Sequence, residues 1–191
     1  MSSVQLDVYG VGHALVDLQY KIQTERLLQL GVDKGVMSLV DDQQQSAIIH
    51  QVDSQPIASS SGGSAANTMI AIASLGGNTF YSCLTGQDEM GDFYQEDLRK
   101  AGVLTSELHR IKGSTGRCVV LITPDADRTL LTSLGISASI CPDQIDESRI
   151  SSCRYVYLEG YLLSSENGFN ACLLAQELAR KHNKKVSLTL S

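Results

Sequence analysis

Two acidic residues follow predicted strands and could accept hydrogen bonds from the hydroxyl groups of a ligand. Asp17 comes shortly after the strand predicted over residues 4–10, and Glu159 directly follows the strand predicted over residues 155–158. Because ligands of open α/β sheets bind beyond the carboxyl ends of the strands, two acids at such ends indicate a shared binding site. For Asp17 taken alone, the alternative is an exposed surface acid.

A segment rich in serine and glycine, residues 59–67 (SSSGGSAAN), leads into a predicted helix of small and apolar residues. Gly62 and Gly63 let a ligand approach the backbone, and the first amide groups of a helix are free donors at the positive end of its dipole. Such a corner suits a phosphate, a carboxylate or sugar hydroxyls. Asn67 lies in the first turn, where its amide either caps the backbone or reaches a ligand. A tight turn without a ligand fits the same pattern equally well.

Two basic side chains near these residues are weaker candidates. Arg128 begins the second strand of a predicted hairpin, where it either contacts a ligand or pairs with Asp125 or Asp127. His13 lies in the loop after the first strand, and a histidine in such a place is more often a bystander than a base. The four histidines of the chain show no metal-ligand spacing, so the sequence predicts no metal site.

The glycine motifs typical of nucleotide binding are incomplete in this chain. Gly10 and Gly12 match part of the dinucleotide-binding fingerprint, but Leu15 occupies the position of its third glycine. An NAD-type domain is therefore a weaker alternative. The GxxxxGK(S/T) pattern does not occur in the sequence, which argues against a P-loop kinase.

The elements that must position these residues mostly alternate between strand and helix. This order predicts an α/β sheet layered by helices, with a small β-element added through strand pairs such as the hairpin around residues 124–127 (PDAD). We expect Thr24 and Asp41 to cap helices, and Gly76 to end one. Strands are predicted over residues 4–10, 16–22, 35–40, 78–85, 103–111, 117–123, 128–134, 155–158 and 185–190, and helices over residues 25–30, 42–52, 68–75, 89–101, 143–150 and 165–182.

The composition is that of an ordinary globular domain, with 42% hydrophobic and 19% charged residues among 191. The net charge of −6 argues against nucleic acid or an anionic membrane as the main partner. Five widely spaced cysteines without a C-x-x-C pair predict reduced thiols, and the sequence shows neither a signal-peptide nor a membrane-span pattern. We therefore expect a cytoplasmic protein.

The glycine-rich motifs resemble the first signature of the PfkB, or ribokinase-like, carbohydrate kinases. Residues 62–67 (GGSAAN), Gly76 and residues 86–91 (GQDEMG) carry this resemblance, which extends in order over essentially the whole chain. Met69 departs from it, because the signature prefers a small residue there. Within the family, the long region from Asp17 to Ser60 looks most like that of adenosine kinases and their bacterial relatives.

The resemblance implies a set of substrate-binding residues. Asp17 matches the acid that binds the sugar hydroxyls, and Gly63 and Asn67 match the backbone and the amide that hold the same sugar. Glu159 falls where several members place another sugar-contacting acid. The predicted substrate-binding set is Asp17, Gly62, Gly63, Asn67, Glu159 and Arg128.

The fold implied by the resemblance is a ribokinase-like three-layer α/β/α sheet with a small β-rich lid. Residues 1–191 would form the N-terminal portion of one such domain, with the lid inserted at about residues 16–60 and the C-terminal part missing. A sheet edge would then be left open at residues 185–190. A homodimer formed through the lid is one arrangement that we expect.

The activity implied by the resemblance is transfer of a phosphoryl group from ATP, with Mg²⁺, to a primary hydroxyl of adenosine or a related ribose-type sugar. The second family signature, with the catalytic aspartate, has no counterpart in the sequence, so the base is expected beyond Ser191 and the 191-residue chain alone is expected to be inactive. The alternatives are a non-catalytic sugar- or nucleoside-binding module, and a kinase with fructokinase- or ribokinase-type specificity.

Overall fold

A computed structural model of the chain describes residues 5–52 and 54–190. Val4, predicted to begin the first strand, Asp53 of the predicted lid segment and Ser191 lie outside the described residues. The strands are β1 (Leu6–Val11), β2 (Leu15–Lys21), β3 (Met37–Leu39), β4 (Ala58–Gly62), β5 (Thr79–Ser82), β6 (Thr85–Gly86), β7 (Val103–Leu104), β8 (Arg110–Ile111), β9 (Gly116–Ile122), β10 (Arg128–Ser133), β11 (Cys153–Glu159) and β12 (Lys185–Thr189). The α-helices are α1 (Thr24–Gln29), α2 (Asp42–Val52), α3 (Ser64–Ser74), α4 (Glu89–Lys100), α5 (Glu147–Ser152) and α6 (Glu166–Lys181).

The main sheet is parallel throughout, with the strand order β12-β11-β1-β5-β7. Its central strand β1 is an apolar run that is buried on both faces, as expected for a parallel sheet covered by helices. Val8 faces a core shared with α3 and α4, whereas Leu6 and Tyr9 face a second core shared with α5 and α6. The predicted layered α/β architecture is therefore confirmed.

The second sheet, which we call the lid sheet, consists of β3-β10-β9-β2-β4 in that order. Its strands come from two separate regions of the chain, because the hairpin of β9 and β10 joins the three strands of the predicted lid segment. In β2 the alternation of side chains buries Val16 and Leu18 in a core with α1 and α2. Leu15 and Asp17 consequently point to the opposite face.

The glycines of β1 and the loop after it are required by packing. A Cβ atom on Gly10 would lie 2.7 Å from the sulfur of Met69, which is fully buried where α3 crosses the sheet. The large residue at position 69 therefore fills space that Gly10 leaves open. Packing against Met69 therefore explains why Gly10, the first glycine of the partial dinucleotide motif, is a glycine, and no bound nucleotide is needed to explain it.

Several predicted boundaries and caps need correction. α3 begins at Ser64, four residues before the predicted start. Thr24 is the first residue of α1 rather than its cap, because Gln23 occupies the cap position without a side-chain hydrogen bond. The predicted strand over residues 103–111 is two short strands separated by a 3-10 turn, and the predicted helix over residues 143–150 is a 3-10 turn followed by α5.

The Asp41 cap is confirmed, because the amide of Gln44 donates to its Oδ1 at 2.7 Å. All five cysteines are free. Across the described part of the chain, no helix is both long enough and apolar enough to cross a membrane.

The strand β12 has apolar side chains that its neighbours cover only in part. Val186 and Leu188 lie in register with Val156 and Leu158 of β11, on the side where α6 packs. They are nevertheless 41% and 44% exposed, and Phe169 of α6 is 45% exposed. Apolar side chains next to a sheet edge favour association between chains.

We expect Leu188→Lys to reduce self-association of the 191-residue chain, because it places a charge among the apolar side chains at the sheet edge. Sedimentation velocity over a range of protein concentrations measures the effect. Leu75→Lys is the matched control, since Leu75 is 88% exposed at the end of α3, away from the edge. Equal behaviour of the two variants would contradict association through β12.

Candidate functional site

A cavity of about 350 Å³ lies between the carboxyl ends of the parallel strands and one face of the lid sheet. One wall is polar and comes from the loop after β1, the start of α3 and the end of β11. The other wall is mostly apolar and comes from the lid sheet and the segment after β11. The lining residues are His13, Leu15, Asp17, Met37, Leu39, Gly63, Ser64, Asn67, Cys118, Leu130, Thr132, Leu134, Glu159, Tyr161 and Ser164.

Asp17 is a half-buried carboxylate that nothing in the described part of the chain neutralises. It projects from β2 into the cavity, between Ser60 of β4 and Cys118 of β9. Within residues 5–52 and 54–190 it accepts no hydrogen bond and forms no ion pair. Burial raises its pKa to about 6, because desolvation disfavours the charged form. A ligand that donates hydrogen bonds to this carboxylate would therefore stabilise its ionised form.

The corner between β4 and α3 lies beside Asp17, as predicted. Gly62 is required there, because a Cβ atom would overlap the Asp17 carboxyl group. Gly63 has a φ of 102°, in the region that favours glycine, and a Cβ atom on it would lie 2.5 Å from the carbonyl oxygen of His13. The start of α3 is thus a stretch of bare backbone facing the cavity.

Two side chains in the first turn of α3 face this cavity. Asn67 is exposed and lines it, and its backbone amide donates to the Gly63 carbonyl at 2.9 Å. The hydroxyl oxygen of Ser64 is buried and finds no partner among the described residues. Since buried polar groups are normally hydrogen-bonded, the unpaired hydroxyl marks a place where a ligand or water completes the site. Sequence reasoning missed Ser64 as an individual residue, although it lies within the glycine-rich motif.

The helix α4 holds the end of β4 from the side away from the cavity. The hydroxyl of Tyr94 donates to the Gly62 carbonyl at 3.0 Å, and the amide of Ser61 donates to Asp97 at 2.7 Å. These bonds satisfy backbone groups next to the glycine corner and fix its position. The glycine corner is therefore supported by α4, the helix that begins within the GQDEMG motif.

Glu159 reaches the same cavity but differs from Asp17 in its environment. It is only 2% exposed, and its Oε2 accepts a hydrogen bond from the His13 amide at 2.9 Å. The Nδ1 atom of His13 lies 3.8 Å from its other oxygen. Glu159 is thus already engaged with the protein, whereas Asp17 is not.

Arg128 is not brought together with the other predicted residues. It lies on the same face of β10 as Leu130 and Thr132 and is two residues from Leu130, but it is exposed and does not line the cavity. The predicted pairing with Asp125 or Asp127 is also replaced, because Lys34 pairs with both acids. Its predicted contact with substrate has no support from this arrangement.

The apolar wall was missed by sequence reasoning. Its side chains are on facing positions of neighbouring strands, since Met37 pairs with Leu130 and Leu39 pairs with Thr132. Alternation along β3 and β10 could have identified them, but only once the two strands were known to be neighbours. The cavity therefore suits a ligand with a polyhydroxylated part and a flatter apolar part.

The fold and the cavity together define the class of protein. A parallel sheet with helices on both faces, and a second sheet opposite its carboxyl edge, is the architecture of ribokinase-like small-molecule kinases. The model of the pfkB family of carbohydrate kinases matches residues 36–191. The chain belongs to this family.

Similar proteins include nucleoside kinases. The chain is 26% identical over 192 aligned positions to the guanosine-inosine kinase of Escherichia coli (strain K12), an alignment that covers 96% of this chain and 44% of that protein. The crystal structure of adenosine kinase from Sinorhizobium meliloti is similar with a TM-score of 0.89 and 27% identity, over 98% of this chain and 57% of that one. The structure of a probable sugar kinase from Rhizobium etli CFN 42 gives the same TM-score at 29% identity, over 98% of this chain and 56% of that one. The chain thus spans about half the length of these relatives.

We expect Asp17→Asn to stabilise the folded chain at neutral pH. The folded-state pKa of about 6 is above the ordinary value of 3.8, so ionisation of Asp17 costs stability, and this cost grows as the pH rises from about 4 through 6. The variant should gain about 1–2 kcal/mol at pH 8, after allowance for solvent screening, and almost nothing at pH 4. Urea unfolding at the two pH values measures the gain.

Asp125→Asn is the control for this experiment, with the opposite sign. Its pKa is lowered to about 2, chiefly by the hydrogen bond from Lys34, so the ionised form stabilises the fold above pH 4. This variant should lose a little stability at pH 8. If Asp17→Asn were less stable than the unmodified chain at that pH, the conclusion that no group stabilises the ionised Asp17 carboxylate would be contradicted.

Proposed function

We propose that this chain forms the substrate-binding portion of an ATP-dependent sugar or nucleoside kinase that phosphorylates a primary hydroxyl of adenosine or a related ribose-type sugar. The observation that carries the proposal is an unpaired, half-buried carboxylate that lies beside a bare helix start in one cavity. Asp17 accepts hydrogen bonds from sugar hydroxyls, and the backbone at Gly63 and the amide of Asn67 hold the same sugar. The family membership and the nucleoside kinases among the relatives support this assignment.

The apolar wall supports a nucleoside over a free sugar. Met37, Leu39 and Leu130 offer a surface that a planar base covers and that a monosaccharide leaves wet. Covering apolar surface contributes about 25 cal/mol for each Å² removed from water, so a base adds appreciably to affinity. In this arrangement the ribose lies at the polar wall and the base lies against the lid sheet.

The contribution of these residues to phosphoryl transfer is positioning. A reacting hydroxyl that is held in a fixed place reacts as if it were at a very high local concentration. ATP, with Mg²⁺, supplies the phosphoryl group in the proposed reaction. The described residues contain no group of three or more His, Cys, Asp or Glu side chains that could hold a metal ion, so we assign no residue of this chain to Mg²⁺.

Three further parts of the proposal concern the location and the partners of the protein. The five free cysteines support the predicted cytoplasmic location, since reduced thiols persist there. The homodimer through the lid sheet stays a prediction, for which β3 and β4 provide the edge strands. Nucleic acid stays excluded from the expected partners on the basis of the net charge of −6.

We expect the 191-residue chain to bind adenosine or inosine at least about tenfold more tightly than ribose or fructose, because only the nucleosides cover the apolar wall. Asp17→Ala should weaken nucleoside binding by about ten- to a hundredfold for each hydrogen bond from a sugar hydroxyl that it removes. Isothermal titration calorimetry measures both effects. Asp125→Ala is the matched control, since Asp125 is exposed and outside the cavity.

Two results of the titration would count against the proposal. Unchanged nucleoside affinity in Asp17→Ala would remove the proposed role of the carboxylate. Binding of ribose or fructose as tight as that of adenosine would instead favour the alternative of ribokinase- or fructokinase-type specificity.

We also expect residues 1–191 alone to form no product from magnesium-ATP and adenosine, ribose or fructose. Phosphoryl transfer requires a positioned base, donors for the developing charge and a bound metal-nucleotide complex. Loss of a single such donor typically costs about a hundred- to a thousandfold in rate. A coupled assay for ADP release, with the Sinorhizobium meliloti adenosine kinase as positive control, tests this. Turnover of adenosine clearly above background would overturn the prediction.

A further inference from the structure

The chain passes from the parallel sheet to the lid sheet at residues 12–14, and two neighbouring strands hold this crossing in place. The His13 amide donates to Glu159 at the end of β11, and the hydroxyl of Tyr81 in β5 donates to the His13 carbonyl at 2.8 Å. Both hydrogen bonds are buried. The donor and the acceptor of one backbone residue are therefore fixed from opposite sides of β1.

The chain at residues 12–14 is also tightly packed against neighbouring side chains. A Cβ atom on Gly12 would overlap the carboxyl group of Glu159 and would lie 2.5 Å from the Tyr81 hydroxyl. The carbonyl oxygen of His13 also contacts Gly63, where the chain returns from the lid sheet to α3. The two crossings between the sheets thus meet at His13.

The position of Tyr81 extends this cluster to the start of α3. Burial raises the pKa of Tyr81 well above its ordinary value, while the nearby backbone amide of Ala66 acts in the opposite direction. The phenol oxygen therefore lies between the His13 carbonyl and the first turn of α3. Glu159 and His13 line the cavity but are almost fully buried, and Oε2 of Glu159 is used by the His13 amide.

We propose that Glu159 is a positioning residue, which holds the crossing at Gly12 and His13 and thereby fixes Asp17 and Gly63 at the cavity. This differs from the role that the family resemblance implies, in which Glu159 contacts the sugar directly. Its Oε2 is already committed to the His13 amide, and Asp17 follows His13 by four residues, in the strand β2 that begins at Leu15. The expected effect on ligand binding rests on the proposed function. The role of Glu159 in fixing the backbone at Gly12 and His13 does not.

Calorimetry with adenosine and its 2′-deoxy and 3′-deoxy analogues separates the two roles. Glu159→Gln keeps an oxygen that can accept from the His13 amide, so its adenosine affinity should stay within about threefold of the unmodified chain. Glu159→Ala leaves a buried amide without a partner and should bind adenosine at least about tenfold more weakly. The same factor should apply to both deoxy analogues, because the loss is not tied to any one hydroxyl.

Asp17→Asn is the reference for a direct contact. Its effect should shrink for the analogue that lacks the hydroxyl bound by Asp17. If the Glu159→Ala effect shrinks in the same way for one analogue, or if Glu159→Gln is as damaging as Glu159→Ala, the positioning role is overturned. Tyr81→Phe, which removes the other bond to His13, should behave as Glu159→Ala does and covers the case in which Glu159→Ala fails to fold.

Hydrogen exchange of the His13 amide tests the hold on the crossing without any ligand. This amide should be protected in the unmodified chain and in Glu159→Gln, and should exchange at least about tenfold faster in Glu159→Ala. The Phe80 amide in β5 is the internal control and should not change. Unchanged exchange at His13 in Glu159→Ala would overturn the proposal. Faster exchange together with no nucleoside binding by the unmodified chain would instead support the hold on the crossing and reject the proposed function.

Discussion

The close approach of two backbone segments at Gly12–His13 and Gly63 is the constraint on which the rest of the site depends. The approach leaves no room for a side chain on Gly63, and on the other segment a Cβ atom on Gly12 would overlap the Glu159 carboxyl group. The polar groups at these points must also be satisfied, which Glu159 and Tyr81 accomplish from within the parallel sheet.

This constraint also explains why the two acids of the cavity differ. Glu159 ends β11, next to the central strand β1, and its carboxyl group accepts a hydrogen bond from the His13 amide. Asp17 lies on a strand of the lid sheet, where no donor of the described residues reaches it, and its ionisation is correspondingly unfavourable. A buried charged group without a partner in the protein is common at functional sites, because a ligand then supplies the interaction that stabilises the charge.

Sequence reasoning was most successful where local pattern determines structure. The apolar run of β1, the alternation in β2 and the glycine corner before α3 each identify an element and the residues at its end. It placed Asp17, Gly63, Asn67 and Glu159 at one cavity, because the carboxyl ends of parallel strands share an edge. It missed the apolar wall, since this wall depends on which strands pair over long distances, and the substrate contact of Arg128 stays a prediction. It also did not distinguish Glu159, which is hydrogen-bonded within the protein, from Asp17, which is not. The partner of Glu159 is a backbone amide, and a backbone amide leaves no signal in the sequence.

The composition of the lid sheet from two chain regions has a consequence for how this protein is made. Leu15 of β2 pairs in parallel with Gly116 of β9, so the central pairing of that sheet cannot form until the hairpin has left the ribosome. During synthesis, β2 and β4 can pair only with each other, and a two-stranded ribbon is marginally stable in water. Contacts between residues so distant in sequence slow folding, and they leave apolar strand faces open to wrong partners in the meantime. The enclosed cavity is therefore one of the last features of the nascent chain to be completed, and chaperone dependence of the newly made protein should be greatest before the hairpin emerges.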